Sequence, residues 1–166
     1  MPSWCSGGRV NVPLVRLQLA LRILLVFALW PLAAFSGDST GPSPVGLWNT
    51  ISDVDGKPRG VVRVIEKDGV YSAAIVRSLV PGEEDMGLCD VCPGARKGQP
   101  YNGLVFLTGL RKIGSTEYGG GEILDPDTGS IYSCRAQLES NGQALVVRGY
   151  FGISLFGRSQ IWQRAE

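Results

Sequence analysis

From Gly46 onward, short runs of β-branched, aromatic and aliphatic residues alternate with turn signals at the spacing of antiparallel strands, not of strand-helix-strand units. Eight runs stand out: Gly46 to Ser52, Arg59 to Glu66, Val70 to Ser78, Gly103 to Arg111, Tyr118 to Leu124, Ser130 to Leu138, Ala144 to Phe151, and Arg158 to Arg164. The sixth shows the clearest period of two. Tyr132, Cys134, Ala136 and Leu138 share one face, predicted inward, while Ser133, Arg135 and Gln137 share the other. The seventh leaves its phase open, because Leu145 and Val147 oppose a set containing Val146, Arg148 and Tyr150. Lys67-Asp68-Gly69 and Ser140-Asn141-Gly142 read as tight hairpin turns, since Gly after Asp or Asn accepts the positive φ they require. Asp125-Pro126-Asp127-Thr128-Gly129 reads as a type I turn closed by Gly. Consecutive strands are therefore neighbours. An open sheet would leave exposed edges, so the expected fold is all-β: a single up-and-down eight-stranded antiparallel barrel. One connection is long, the 24 residues Leu79 to Asn102, which carry three Pro, four Gly, the acidic trio Glu83-Glu84-Asp85 and Cys89-Asp90-Val91-Cys92. It is expected to be partly ordered across one end of the barrel.

Upstream of this pattern, Arg16 and Arg22 precede the apolar stretch from Ile23 to Trp30, and Ala34-Phe35-Ser36 supplies small residues at signal-peptidase spacing. The expected organisation is a signal peptide over 1–36, a short linker over 37–45 and a barrel domain over 46–166. The apolar run is interrupted by Pro31 and falls short of the ~20 residues that a bilayer core needs, so no stable membrane span is expected after processing. A periplasmic or secreted location follows. Removing the leader, with its three Arg and no acid, takes the formal charge from +1 to −2, which argues against nucleic acid as a partner. The chain has no histidine, which excludes Ser-His-Asp and Cys-His catalysis and the His-containing zinc sites.

Candidate chemistry narrows further on inspection. Cys89 and Cys92 can close a local disulfide, act as a redox couple or offer half of a zinc site. A redox couple wants a thioredoxin-like setting that the strand-rich surroundings lack, and zinc lacks ligands beyond Cys134. A disulfide is therefore expected, with Cys134 a buried odd thiol. Asp53-Val54-Asp55-Gly56 and the Asp125 turn open like calcium loops, but Val64 and Ala136 stand where the bidentate carboxylate belongs. Glu122 and Asp125 read as solvated turn carboxylates. Gly152-Ile153-Ser154 begins like a nucleophile elbow, yet Phe156 replaces the second Gly and no His exists to activate Ser154. No catalytic residue, metal site or cofactor is expected.

Several segments in order carry a resemblance. Gly46-Leu47-Trp48 opens the first strand and Trp162-Gln163-Arg164 closes the last. Between them come Trp48-Asn49-Thr50, Asp55-Gly56-Lys57, Cys89-Asp90-Val91-Cys92-Pro93-Gly94 and Gly120-Gly121-Glu122-Ile123-Leu124-Asp125-Pro126. Leu145 to Gly152, Ser154-Leu155-Phe156-Gly157-Arg158 and Gln160-Ile161-Trp162 follow. Together these resemble the small secreted bacterial proteins known as domain of unknown function 2147, with calycin or lipocalin-like character. The resemblance implies a calycin-like barrel without an established activity, in which Arg164 packs over Trp48 and, with Trp162, closes the barrel base. A cation over an indole contributes about 0.5 to 2 kcal/mol.

The expected function is burial of a small apolar or anionic amphipathic ligand in the barrel lumen. Arg148 and Tyr150 are the candidate polar groups, and Tyr71, Phe106 and Tyr132 the candidate walls. A guanidinium inside the lumen would need a partner or an anionic ligand. The alternatives are an envelope interaction protein whose barrel is filled by its own side chains, and a redox protein using Cys89 and Cys92.

Overall fold

The computed structural model describes residues 41–165; the expected leader and the first part of the expected linker lie outside the described residues. Eight strands follow in chain order: β1 (Gly46–Ile51), β2 (Pro58–Lys67), β3 (Val70–Ser78), β4 (Val105–Lys112), β5 (Glu117–Leu124), β6 (Ile131–Leu138), β7 (Ala144–Tyr150) and β8 (Gly157–Arg164). They form the expected closed barrel, each strand antiparallel to its chain neighbours, with β8 returning to β1. The runs read from the sequence become these strands, with boundaries that differ by a residue or two. Gly103 and Leu104 are the largest loss: Gly103 has φ 92° and Leu104 N–H donates to the Tyr101 carbonyl at 3.0 Å, so the pair turns instead of extending.

The predicted turn chemistry holds. Asp68 and Gly69 both take positive φ, 54° and 74°, as a two-residue hairpin requires. Alternation sends Cys134, Ala136 and Leu138 of β6 into the core and leaves Ser133, Arg135 and Gln137 exposed. In β2 the alternation breaks once. Val61 and Val62 are both buried because the pairing with β3 slips a register between them, as a bulge does.

The core is one contiguous cluster down the barrel axis, with Trp48, Trp162, Leu107, Leu124, Leu138 and Val147 almost wholly buried. Its floor is Arg164. The guanidinium lies 4.2 Å from the Trp48 ring centroid and donates to the carbonyls of Gly142 (2.7 Å), Val45 (3.1 Å) and Ser43 (2.7 Å). One side chain thus ties together the β6–β7 turn, the segment ahead of β1 and the last strand. The Trp48 indole N–H donates to the Pro44 carbonyl at 2.8 Å, and Pro44 itself is buried. The described part of the segment read as a linker therefore packs onto the barrel.

The other end carries the connections β1–β2, β3–β4, β5–β6 and β7–β8. Replacing Arg164 with Met should keep the barrel but lower its unfolding free energy by about 2–3 kcal/mol, read from the urea midpoint, because it removes the cation–indole contact and three charge-assisted hydrogen bonds. An unchanged midpoint would show that strand pairing alone closes the base.

Candidate functional site

The three residues proposed as lumen walls lie on the inner side of the barrel. The Phe106 ring sits 5.8 Å from Trp162, and the Tyr71 ring meets Tyr118 edge-on at 5.0 Å with an interplanar angle of 77°. Burial pushes the phenol pKa of both Tyr71 and Tyr118 up from the usual tyrosine value. Tyr132 is half-buried on the inward face of β6, opposite Ile123. Phe106 belongs to the core cluster, and Tyr71 and Ile123 pack against it. The chain's own side chains thus fill much of the interior, while Tyr71, Ile123 and Tyr132 on its inner side stay only partly buried. The two depressions described on the domain are lined largely by outward-facing and turn residues, the first, of about 220 Å³, by Arg135, Gln137, Val146, Arg148 and Ser159 among others.

Arg148 and Tyr150 are not in the lumen. Leu145 and Val147 take the inward face of β7, which puts Val146, Arg148 and Tyr150 on the outer face. The Arg148 guanidinium is engaged there: Nε donates to the Ser154 carbonyl at 2.8 Å, one terminal nitrogen to the Leu155 carbonyl at 3.2 Å and the other to Ser159 Oγ at 2.9 Å. The physical reason for the phase is economy of burial. Two branched apolar side chains enter the core at no cost, whereas a guanidinium would have to lose its water. The five residues proposed for a ligand are therefore split across the barrel wall.

Cys89 and Cys92 are joined in a disulfide and both are buried, at 0% and 2% exposure. That burial removes the solvent access that a redox couple needs. The loop around them is ordered by its own backbone: Cys89 N–H donates to the Gln99 carbonyl and Gly98 N–H to the Cys89 carbonyl, both at 2.9 Å. A single 3-10 turn, Gly94–Arg96, lies between these contacts. The Tyr101 hydroxyl donates to the Pro126 carbonyl at 3.0 Å, which docks the loop on the β5–β6 turn. Gly129, at φ 74°, completes this contact, because a Cβ there would overlap the Val91 carbonyl oxygen. Cys134 is a free thiol at 0% exposure, and burial pushes its pKa up to about 12. Among the described residues no group of three or more His, Cys, Asp or Glu side chains gathers to hold a metal ion.

Sequence reasoning missed the β7–β8 connection, residues 151–156. Phe151, Ile153, Leu155 and Phe156 are 78%, 61%, 75% and 68% exposed. The turn is not slack: Phe151 N–H donates to the Phe156 carbonyl and Phe156 N–H to the Ile153 carbonyl, both at 3.1 Å, while Arg148 holds the carbonyls of Ser154 and Leu155. Four carbonyls of the turn are held from within and the apolar side chains face out. The readable signal was four large apolar residues in a six-residue turn, where polar and small residues are the rule. Arg158 at the root of this finger pairs with Asp53 of the β1–β2 connection, Nε to Oδ2 at 2.7 Å, and the hydrogen bond from Arg158 holds the Asp53 carboxyl below the usual carboxylate range.

The family model described as "Uncharacterized protein conserved in bacteria (DUF2147)" matches residues 46–164. Among solved structures, one titled "Protein HP1028 from the human pathogen Helicobacter pylori belongs to the lipocalin family" matches with a TM-score of 0.65 and 25% identity, covering 75% of this chain and 84% of that one. No curated protein sequence matches.

Two outcomes follow from this geometry. Iodoacetamide at neutral or mildly alkaline pH should leave Cys134 unmodified in the folded protein and alkylate it only in denaturant, as peptide mapping would read; native-state labelling would mean that the barrel opens locally. Replacing Arg148 with Met should free two carbonyls and speed amide hydrogen exchange across 151–156, while global stability changes by no more than about 1–2 kcal/mol. Exchange equal to that of the unmodified protein would remove Arg148 as the brace.

Proposed function

Because this chain belongs to the DUF2147 family, whose description assigns no activity, we propose its role from geometry: it is an exported interaction protein in which a filled barrel is the scaffold and the loops of one end make the contacts. The observation that carries this reading is the inversion of burial between interior and tip. Trp48, Trp162 and the aliphatic side chains between them occupy the lumen, while four large apolar side chains stand out on a braced turn. Contiguous exposed apolar surface of that kind marks an interaction site more often than an accident of folding. The apolar leader stretch and the Cys89–Cys92 disulfide support export to an oxidising compartment.

A second reading, a small apolar molecule held in the lumen, draws support from the lipocalin-family neighbour and from the half-buried inward-facing Tyr132 and Ile123. The same experiment decides between them. Native mass spectrometry of the protein purified from the exported fraction of its host should return the mass of the polypeptide alone. A small molecule present in the native ion and lost on denaturation would overturn the filled-scaffold reading in favour of the second.

A further inference from the structure

Resting on that reading, we propose that the β7–β8 finger is an anchor for a phospholipid surface, with Phe151, Ile153, Leu155 and Phe156 entering the acyl region and arginines on the adjoining outer face meeting the headgroup phosphates. Three features of the finger lead there. The first is its backbone. Apolar surroundings penalise any carbonyl left without a donor, and here the Ser154 and Leu155 carbonyls are held by Arg148, while that of Phe156 accepts from Phe151 N–H and that of Ile153 from Phe156 N–H. Four of the six carbonyls of 151–156 are thus already paired before any contact with an apolar medium.

The second is charge. Arg135 and Arg148 lie directly opposite each other on β6 and β7, a like-charge pair that is unfavourable on a sheet surface unless an anion lies between them. Among the described residues neither makes an ion pair, since the two present are Arg59–Asp55 and Arg158–Asp53. They border the outer-face depression of about 220 Å³ together with Gln137 and Ser159, with Glu117 as its one acidic member. Phosphate oxygens fit that donor set. Of the acids at this end, Asp53 is paired with Arg158, Asp125 lies on the neighbouring β5–β6 turn, and the trio Glu83-Glu84-Asp85 belongs to the β3–β4 connection, half-way round the ring of eight strands from the finger.

The third is size and shape. Four exposed side chains of these types offer on the order of 500 Å², short of the ~800 Å² per partner of a standard protein interface. They also sit on a convex turn that would require a matching pocket in a protein partner. A fluid acyl layer needs no such match, and burial of this area beside the Arg135–Arg148 pair is enough for reversible attachment.

The test is flotation of the processed protein with vesicles of phosphatidylcholine and of phosphatidylcholine mixed with phosphatidylglycerol, beside the triple variant Phe151→Ser, Leu155→Ser, Phe156→Ser. The unmodified protein should float, more strongly with the anionic mixture, and the triple variant should lose on the order of 100-fold in partitioning at an unchanged melting temperature, because the side chains it removes are exposed. Should the triple variant misfold, Phe156→Trp serves instead: its emission should shift to the blue on vesicles and be quenched by brominated acyl chains, beyond any change in the unmodified protein, whose Trp48 and Trp162 are fully buried. Equal flotation of variant and parent, absence of flotation, or a finger-dependent dimer without flotation would each overturn the anchor. None of these touches the filled-scaffold reading, which fails only on the native mass.

Discussion

The closure of the sheet between β1 and β8 is the constraint on which the rest of the structure depends. That seam is short: three register pairs, Trp48 with Arg164, Asn49 with Gln163 and Thr50 with Trp162, against seven between β7 and β8. Three pairs do little by themselves to hold two edges together, and an unclosed edge would be a template for association. The side chains at the seam make up the difference. Trp48 and Trp162 both turn inward, so the two largest core residues lie on the strands that must meet, and Arg164 caps Trp48 while bonding to three carbonyls on two separate stretches of backbone.

Closure by large side chains also decides what the interior holds. Two indoles, the Phe106 ring and the Tyr71–Tyr118 pair occupy much of an eight-stranded interior, and Arg148 is left to the outer wall. The end opposite Arg164 carries the longer connections. There the Cys89–Cys92 loop is fixed to the β5–β6 turn by Tyr101 and the close approach at Gly129, and the β7–β8 finger is fixed by Arg148. Both loops are rigidified by polar contacts made beneath them. What each presents to solvent is thereby set in advance, which lowers the ordering cost of binding a partner surface.

The legibility of these parts differed for physical reasons. Strand positions were plain because a half-buried strand must alternate and a tight hairpin must place Gly at positive φ, as at Asp68-Gly69; both are local conditions written within a few residues. The pairing of Cys89 with Cys92 was also near to hand, since the two are three residues apart and no other ligands accompany them. The candidate site was another matter. On β7 the Leu145 and Val147 face is the more apolar, but a lumen that holds an anionic ligand would accept Val146, Arg148 and Tyr150 as well, so the strand by itself leaves its phase open. The balance is tipped by the partners that Arg148 finds outside, on a segment six and seven residues further on and across the hairpin on β8.

The sequence by itself determined the number of strands, their order, their antiparallel sense and the turns that join them, because each depends on periodicity and on the backbone freedom of neighbouring residues. Only the tertiary structure decided what fills the barrel, which way Arg148 faces and that Phe151, Ile153, Leu155 and Phe156 remain in solvent. Those outcomes depend on volume and on hydrogen-bond partners summed around a closed ring. No single strand contains that information, because the space available inside is defined by all eight at once.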